Sequence, residues 1–271
     1  MYKINLENDI KKLDDVISYQ NRNKYYNNIY FKTNEYLSDI LTNFDLKNKK
    51  VLTVLGSGDQ AFHFLNRGAK CVDVFDINRL SIYYYYLRIW LIKYMNVFYP
   101  NDFNYECWIK LKKMIVINNN HEENVIKFWD YFFYKEYRFN KLFEYDYNSC
   151  KNEIEDLTKL KNILDRSKIK FYNFDIKSSD IKLYKKYDIV YLSNIPDWFS
   201  EPDYYNDIVL LRYCNNVSKM LKRRGIAIRS YVDSISEFYS GNMQMLGNYF
   251  DCYKIDGLNK KSIGHCYIKV K

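Results

Sequence analysis

An α/β fold with a mostly parallel sheet is the fold class the sequence predicts, on three observations. Apolar, β-branched runs of strand length, at 51–55 and 71–75, alternate with segments of helical pattern. The first run closes on a glycine turn, Gly56-Ser57-Gly58, and the second on an acid, Asp76. The last two strand-like runs, 250–255 and 265–270, are joined by a short connection containing Gly257 and Gly264, which gives an antiparallel hairpin at the end of the chain.

The elements follow in order. Residues 1–48 read as an N-terminal helical segment, with Thr33 or Asn34 capping a helix that carries Tyr36, Leu37, Ile40 and Leu41 on one face. A first strand spans 50–55. A helix over 60–66 follows, with Gly68 as its C-terminal cap, and a second strand covers 71–76. The segment 80–96, LSIYYYYLRIWLIKYMN, is apolar on most sides and is expected to be buried between layers. Residues 97–166 are too many for a compact connection and are rich in aromatics and charges. They are expected to form a helical insertion that caps an acceptor site. The core resumes with strands at 169–174, 187–194 and 225–231 and a helix at 203–223. Segments 49–96 and 167–271 together make the predicted ligand-binding domain.

Composition narrows the class. The 271 residues suffice for one large α/β domain with an insertion. Tyr (30) and Phe (17) supply much of the 48% hydrophobic content, as an AT-rich coding sequence would, without a special aromatic role. With 8 glycines in all, those in the first turn are expected to have a positional reason. The net charge of +9 permits a nucleic acid or an anionic membrane surface as partner. However, the longest basic block is Lys222-Arg223-Arg224, where a helix C-terminus is expected to use the cations. Nucleic acid therefore ranks below a small-molecule or lipid-like acceptor. Six scattered cysteines without a CxxC pair, and three distant histidines, predict no metal site, with Cys71 and Cys266 as buried thiols. The N-terminus lacks an apolar signal region and no run reaches the length of a membrane span, so a cytoplasmic location is expected.

Strand, glycine turn, helix, strand, acid is an arrangement that binds a nucleoside through its ribose. Glycines let the backbone approach the ligand, and Asp76 can accept from two ribose hydroxyls. Gly56, Gly58 and Ala61 also satisfy the loose dinucleotide fingerprint. Three features favour S-adenosylmethionine (SAM) over a nicotinamide or flavin. Asp59 follows the turn, where a carboxylate would repel a pyrophosphate and attract the ammonium of a methionine moiety. Phe174 and Asp175 end the third strand, where an aromatic can stack on adenine and an acid can accept from its amino group. The terminal hairpin is the third feature.

These residues together resemble the class I SAM-dependent methyltransferases over about 25–80 and 169–271. VLTVLGSGD resembles that family's first motif, VDVFDIN its second, FYNFDI its third and DIVYLSNIPDWF its fourth. The resemblance implies a Rossmann-like class I methyltransferase fold, a seven-stranded sheet with an antiparallel last strand. It implies SAM as cofactor and Gly56, Ser57, Gly58, Asp59, Asp76, Ile77, Phe174, Asp175, Ser193 and Asn194 as its contacts. The family usually has an acid early in the first strand; Thr53 stands here instead, which leaves the ammonium to backbone carbonyls and Asp59. VLTVLGSGDQAF, FDINRLSIYYYYLR, IPDWF and RRGIAIRS are similar also to betaine-lipid type 3-amino-3-carboxypropyl transferases, which use SAM and release methylthioadenosine. Asp197, after the fourth strand, is the expected base or substrate orienter, against a plain reading as a helix N-cap or loop carboxylate. Arg229 is placed to meet an anionic substrate or else to be a surface charge. The expected activity is SAM-dependent transfer, of methyl first and aminocarboxypropyl second. A SAM- or partner-binding protein without turnover is the third reading.

Overall fold

In the computed structural model the described residues are 4–18, 29–33, 35–118, 122–144, 153–154, 156–167, 169–179, 181, 183, 185–193, 195, 207–231, 250–256 and 263–269. For residues 140, 144, 207, 231, 250–256 and 263–269 the description is of the backbone.

The chain begins with α1 (Leu6–Ser18), β1 (Ile29–Tyr30) and the short α2 (Leu37–Leu41). Then come β2 (Lys50–Val54), α3 (Asp59–Asn66), β3 (Cys71–Asp76) and α4 (Ser81–Trp90), which runs on as a π-helical turn, Leu91–Met95. Residues 97–166, the expected insertion, hold α5 (Tyr105–Ile117), α6 (Glu123–Tyr134), a 3-10 turn (Phe139–Leu142), β4 (Phe143–Glu144) and α7 (Leu157–Arg166). After them lie β5 (Phe171–Asn173), β6 (Tyr187–Ser193), α8 (Asp207–Met220), β7 (Leu221–Tyr231), β8 (Phe250–Asp256) and β9 (Ile263–Lys269).

The strands form a seven-stranded sheet in the order β5-β3-β2-β6-β7-β9-β8. The run from β5 to β7 is parallel throughout. β9 lies antiparallel to β7, and β8 antiparallel to β9. The parallel strands alternate between two apolar faces, as a sheet covered on both sides requires. Val51, Val72, Val74, Ile189, Tyr191 and Ile228 join the α1, α3, α4 and insertion side. Leu52, Phe75, Val190, Leu192 and Ala227 pack on α8. The first cluster runs without a break into the insertion, through Trp108, Phe128, Trp129 and Phe132. β1 pairs with β4, so the N-terminal segment and the insertion are also tied by backbone.

Several local expectations need correction. Thr33 does not cap α2; its hydroxyl bonds Glu35, the N-cap position is Tyr36, and Asn34 lies outside the described residues. Lys222-Arg223-Arg224 does follow a helix end, since α8 closes at Met220, but the triplet itself lies in the first residues of β7, with Arg224 at φ 57 and Lys222 paired with Asp188 at 2.6 Å. Cys71 is half-buried rather than buried, and the side chain of Cys266 is outside the description. Gly68 does sit just past α3 at φ 89, and Ala69 N–H closes the helix end on Phe64 O at 3.1 Å. Among the described residues, no helix is long and apolar enough to cross a membrane.

Candidate cofactor site

The glycine turn sits at the C-terminal end of β2, where open α/β sheets bind their ligands. Gly56 and Gly58 both have positive φ, 49 and 89. A Cβ on Gly58 would lie 2.7 Å from Cδ2 of Tyr85, whose ring packs on the turn from α4. Gly58 is therefore fixed by both conformation and space.

Asp76, at the end of the neighbouring β3, reaches across to this turn. Its Oδ2 accepts from Gly56 N–H at 3.0 Å, and its Oδ1 from Asn78 N–H at 2.8 Å. Burial pushes its carboxyl up to about 6, against the bonds from Asn78, Ser81 and Gly56 and the charge of Lys12. Lys12 comes from α1. Burial holds its ammonium below the ordinary value, and Asp76 works the other way. Asp9 of α1 also bonds Arg79 at 2.8 Å and the Tyr83 hydroxyl at 2.8 Å. Thus α1 is fastened beside the acid. Ile77, next in the chain, is 37% exposed, an apolar side chain presented at the strand end.

Asp59 has a different setting from the one expected. Its Oδ1 accepts from Arg88 Nη1 at 2.7 Å and from the Tyr99 hydroxyl at 3.1 Å. Its Oδ2 accepts from Thr33 N–H and the Ser57 hydroxyl, each at 2.8 Å. Burial opposes the charge of Arg88, but Asp59 outweighs it and holds the guanidinium above its ordinary value. The cation beside Asp59 is thus an arginine of the chain. Ser57 belongs to the same network, since its carbonyl accepts from Arg88 Nη1 at 2.9 Å. Arg88 also lies over the Phe98 and Tyr99 rings, 4.5 and 4.6 Å from their centroids.

At the end of β5, Phe174 stacks on Phe75 with centroids 4.9 Å apart and planes at 5°. Asp175 starts a turn, its Oδ1 accepting from Lys177 N–H at 2.9 Å. Asn173 binds this edge to the ligand end of β3, donating to Asp76 O at 2.8 Å and Ile77 O at 3.0 Å. At the end of β6, Ser193 adopts φ 53, a costly conformation for a non-glycine residue. Asn194 and Asp197 lie outside the described residues. Arg229 is 0% exposed, which excludes the reading as a surface charge.

The sequence reading missed Glu35. Its Oε2 accepts from Gln60 Nε2 at 2.8 Å and from the Thr33 hydroxyl at 3.2 Å; its Oε1 accepts from the Tyr191 hydroxyl at 3.3 Å. Burial raises this carboxyl to about 7 against bonds from Gln60, Ser193, Thr33 and Tyr191. Nothing in its local sequence, KTNEY, marks it. Arg88 did carry a signal: a cation in the middle of a buried helix requires a buried acid.

The site therefore offers a glycine cradle, a buried acid hydrogen-bonded to it, and an apolar residue beside the acid. That donor and acceptor set suits the ribose and base of a nucleoside. No protein-family model and no curated protein matches the sequence. Solved structures with a similar course of chain include the glycopeptide N-methyltransferase MtfA complexed with SAM, at 9% identity, 92% of this chain, 99% of that chain and a TM-score of 0.49. N-methyltransferase NodS from Bradyrhizobium japonicum, in complex with S-adenosyl-L-homocysteine, is 10% identical over 97% of this chain and 100% of its own, with a TM-score of 0.42. A TehB-like SAM-dependent methyltransferase from Corynebacterium glutamicum is 9% identical over 97% and 98%, with a TM-score of 0.43. Scores of this size leave the case for the fold with the strand order itself. The fold is Rossmann-like.

Proposed function

We propose that the chain is a SAM-dependent transferase, with methyl transfer as its reaction and a small-molecule or lipid-like acceptor. The observation that carries this reading is the Asp76–Gly56 bond, which sets a ribose-binding acid against the glycine turn at 3.0 Å. A carboxylate has about four acceptor sites, and the bonds from Gly56, Asn78 and Ser81 leave capacity for a ribose hydroxyl. Gly56 and Gly58 let the main chain approach the ligand, and Ile77 gives the base an apolar surface.

A bound sulfonium supplies a carbon already activated for displacement. The chain's own part is alignment and exclusion of water. Asp197 remains the proposed base for an acceptor whose nucleophile carries a proton. The insertion bears a cavity of about 1110 Å³, lined by rings such as Phe103, Phe133 and Phe139 and by charges such as Asp102, Asp130 and Arg138, and this is the proposed acceptor site. Ring contacts lead from Phe139 to Phe143 (4.8 Å), on to Phe31 (5.3 Å) and then to Tyr99 (6.1 Å), whose hydroxyl reaches Asp59.

Incubation with SAM and an acceptor pool, followed by product analysis, tests the reading. S-adenosylhomocysteine is the expected product. Methylthioadenosine would replace methyl transfer by aminocarboxypropyl transfer. SAM binding without either product would leave a binding protein without turnover.

A further inference from the structure

The expected partner for a ligand ammonium, Asp59, is already held by Arg88 at 2.7 Å with both side chains 0% exposed. Thr53, where an acid could have stood in the first strand, is buried, and its hydroxyl bonds Val54 O at 3.1 Å. Beside the same glycine turn lies a second acceptor group. Gln60 is 3% exposed, and both hydrogens of its amide are used: Nε2 donates to Glu35 Oε2 at 2.8 Å and to the Thr33 hydroxyl at 3.2 Å. That fixes which way the amide points. Its Oε1 is buried and has no hydrogen-bond partner among the described residues. It faces the turn, 4.0 Å from where a Cβ on Gly56 would be. A buried acceptor left so is costly unless a ligand donates to it.

We propose that Glu35 and Gln60 recognise the α-ammonium of the ligand's methionine arm, Glu35 by charge and Gln60 through Oε1. Gln60 Oε1 offers the hydrogen-bond acceptor, and the Glu35 carboxylate, whose oxygens already accept from Gln60, Thr33, Tyr191 and Ser193, adds negative charge beside it; together they suit an ammonium and repel an anion. The carboxylate comes from the N-terminal segment rather than from the sheet. Tyr191, which bonds Glu35 Oε1 at 3.3 Å and stands 3.2 Å from Ser230 Oγ, and Ser193, another donor to Glu35, orient it from the ends of β6 and β7. This inference rests on the SAM reading above.

Calorimetric titration of the full chain with SAM and, separately, with 5′-methylthioadenosine tests it, because the second compound keeps the nucleoside and lacks the ammonium. Glu35→Gln is expected to weaken SAM by about tenfold or more, as loss of a buried negative charge beside an ammonium should, and methylthioadenosine by less than about twofold. Gln60→Met, checked for folding by circular dichroism, serves as a second variant and is expected to shift the two ligands in the same unequal way. Equal losses for both ligands, or no loss for SAM, would overturn the role of the pair while leaving the SAM reading intact. A wild-type chain that binds neither ligand would overturn the SAM reading itself.

Discussion

Arg88 Nη1 stands 2.7 Å from Asp59 Oδ1, and neither side chain is exposed. This pair joins α4 to the first residue of α3, and through Thr33 N–H it also fastens the N-terminal segment. Removing one member leaves the other charge buried without its counter-ion, at a cost of about 3–5 kcal/mol. Arg88→Met and Asp59→Asn are each expected to lose that much in urea unfolding. The double variant should lose less than the sum. Asp59→Asn should also leave the SAM affinity of the folded protein unchanged, since its carboxylate is spent within the chain.

Gly58 and Gly56 differ in a way that mutation can read. Alanine at either meets a positive φ, but at Gly58 the new Cβ also meets Tyr85 at 2.7 Å, whereas at Gly56 the nearest atom is 4.0 Å away. Gly56→Ala should cost about 1–2 kcal/mol from backbone strain alone. Gly58→Ala should cost about 1–3 kcal/mol more, from overpacking. Thermal unfolding of the two variants checks the order.

Much of this fold was legible in the sequence. The strands β2, β3 and β6 declare themselves because parallel strands buried on both faces read as apolar runs. Gly58 and Asp76 were legible because a tight turn and a strand-end acid leave local marks. Glu35 is not, because its role depends on the N-terminal segment folding onto α3 and β6, contacts that span 25 to 156 positions. Asp59 is legible as an acid beside the turn, but its partner lies 29 positions on, in a helix whose pattern is apolar on most sides.

Stability should fall as pH rises from about 4 to 7. Glu35 is raised from 4.5 to about 7 and Asp76 from 3.8 to about 6, chiefly by burial. A raised folded-state value means the unfolded chain releases its proton first. The stabilisation is therefore full below the unfolded values and lost as pH climbs to the folded ones. For Glu35 the loss is at most about 3 kcal/mol. Glu35→Gln should flatten this part of the profile, and denaturant midpoints measured from pH 4 to 8 check it.

The insertion should not unfold by itself. Trp129 is fully buried, its indole N–H donates to Tyr83 O at 3.2 Å, and its ring packs on Phe132 at 5.4 Å within the cluster that also holds Val51 and Val74. Trp129→Ala is expected to cost about 3–5 kcal/mol. Near-ultraviolet and far-ultraviolet dichroism should report one coincident transition, in the wild type and in the variant.

Calorimetric titration of SAM into the wild type, Asp76→Ala and Asp59→Asn separates ribose recognition by Asp76 from the internal pairing of Asp59. Saturable binding is expected for the wild type and for folded Asp59→Asn, with a loss of about tenfold or more in Asp76→Ala, where the ribose acid is gone. No binding by the wild type, or equal binding by Asp76→Ala, would contradict SAM recognition through Asp76.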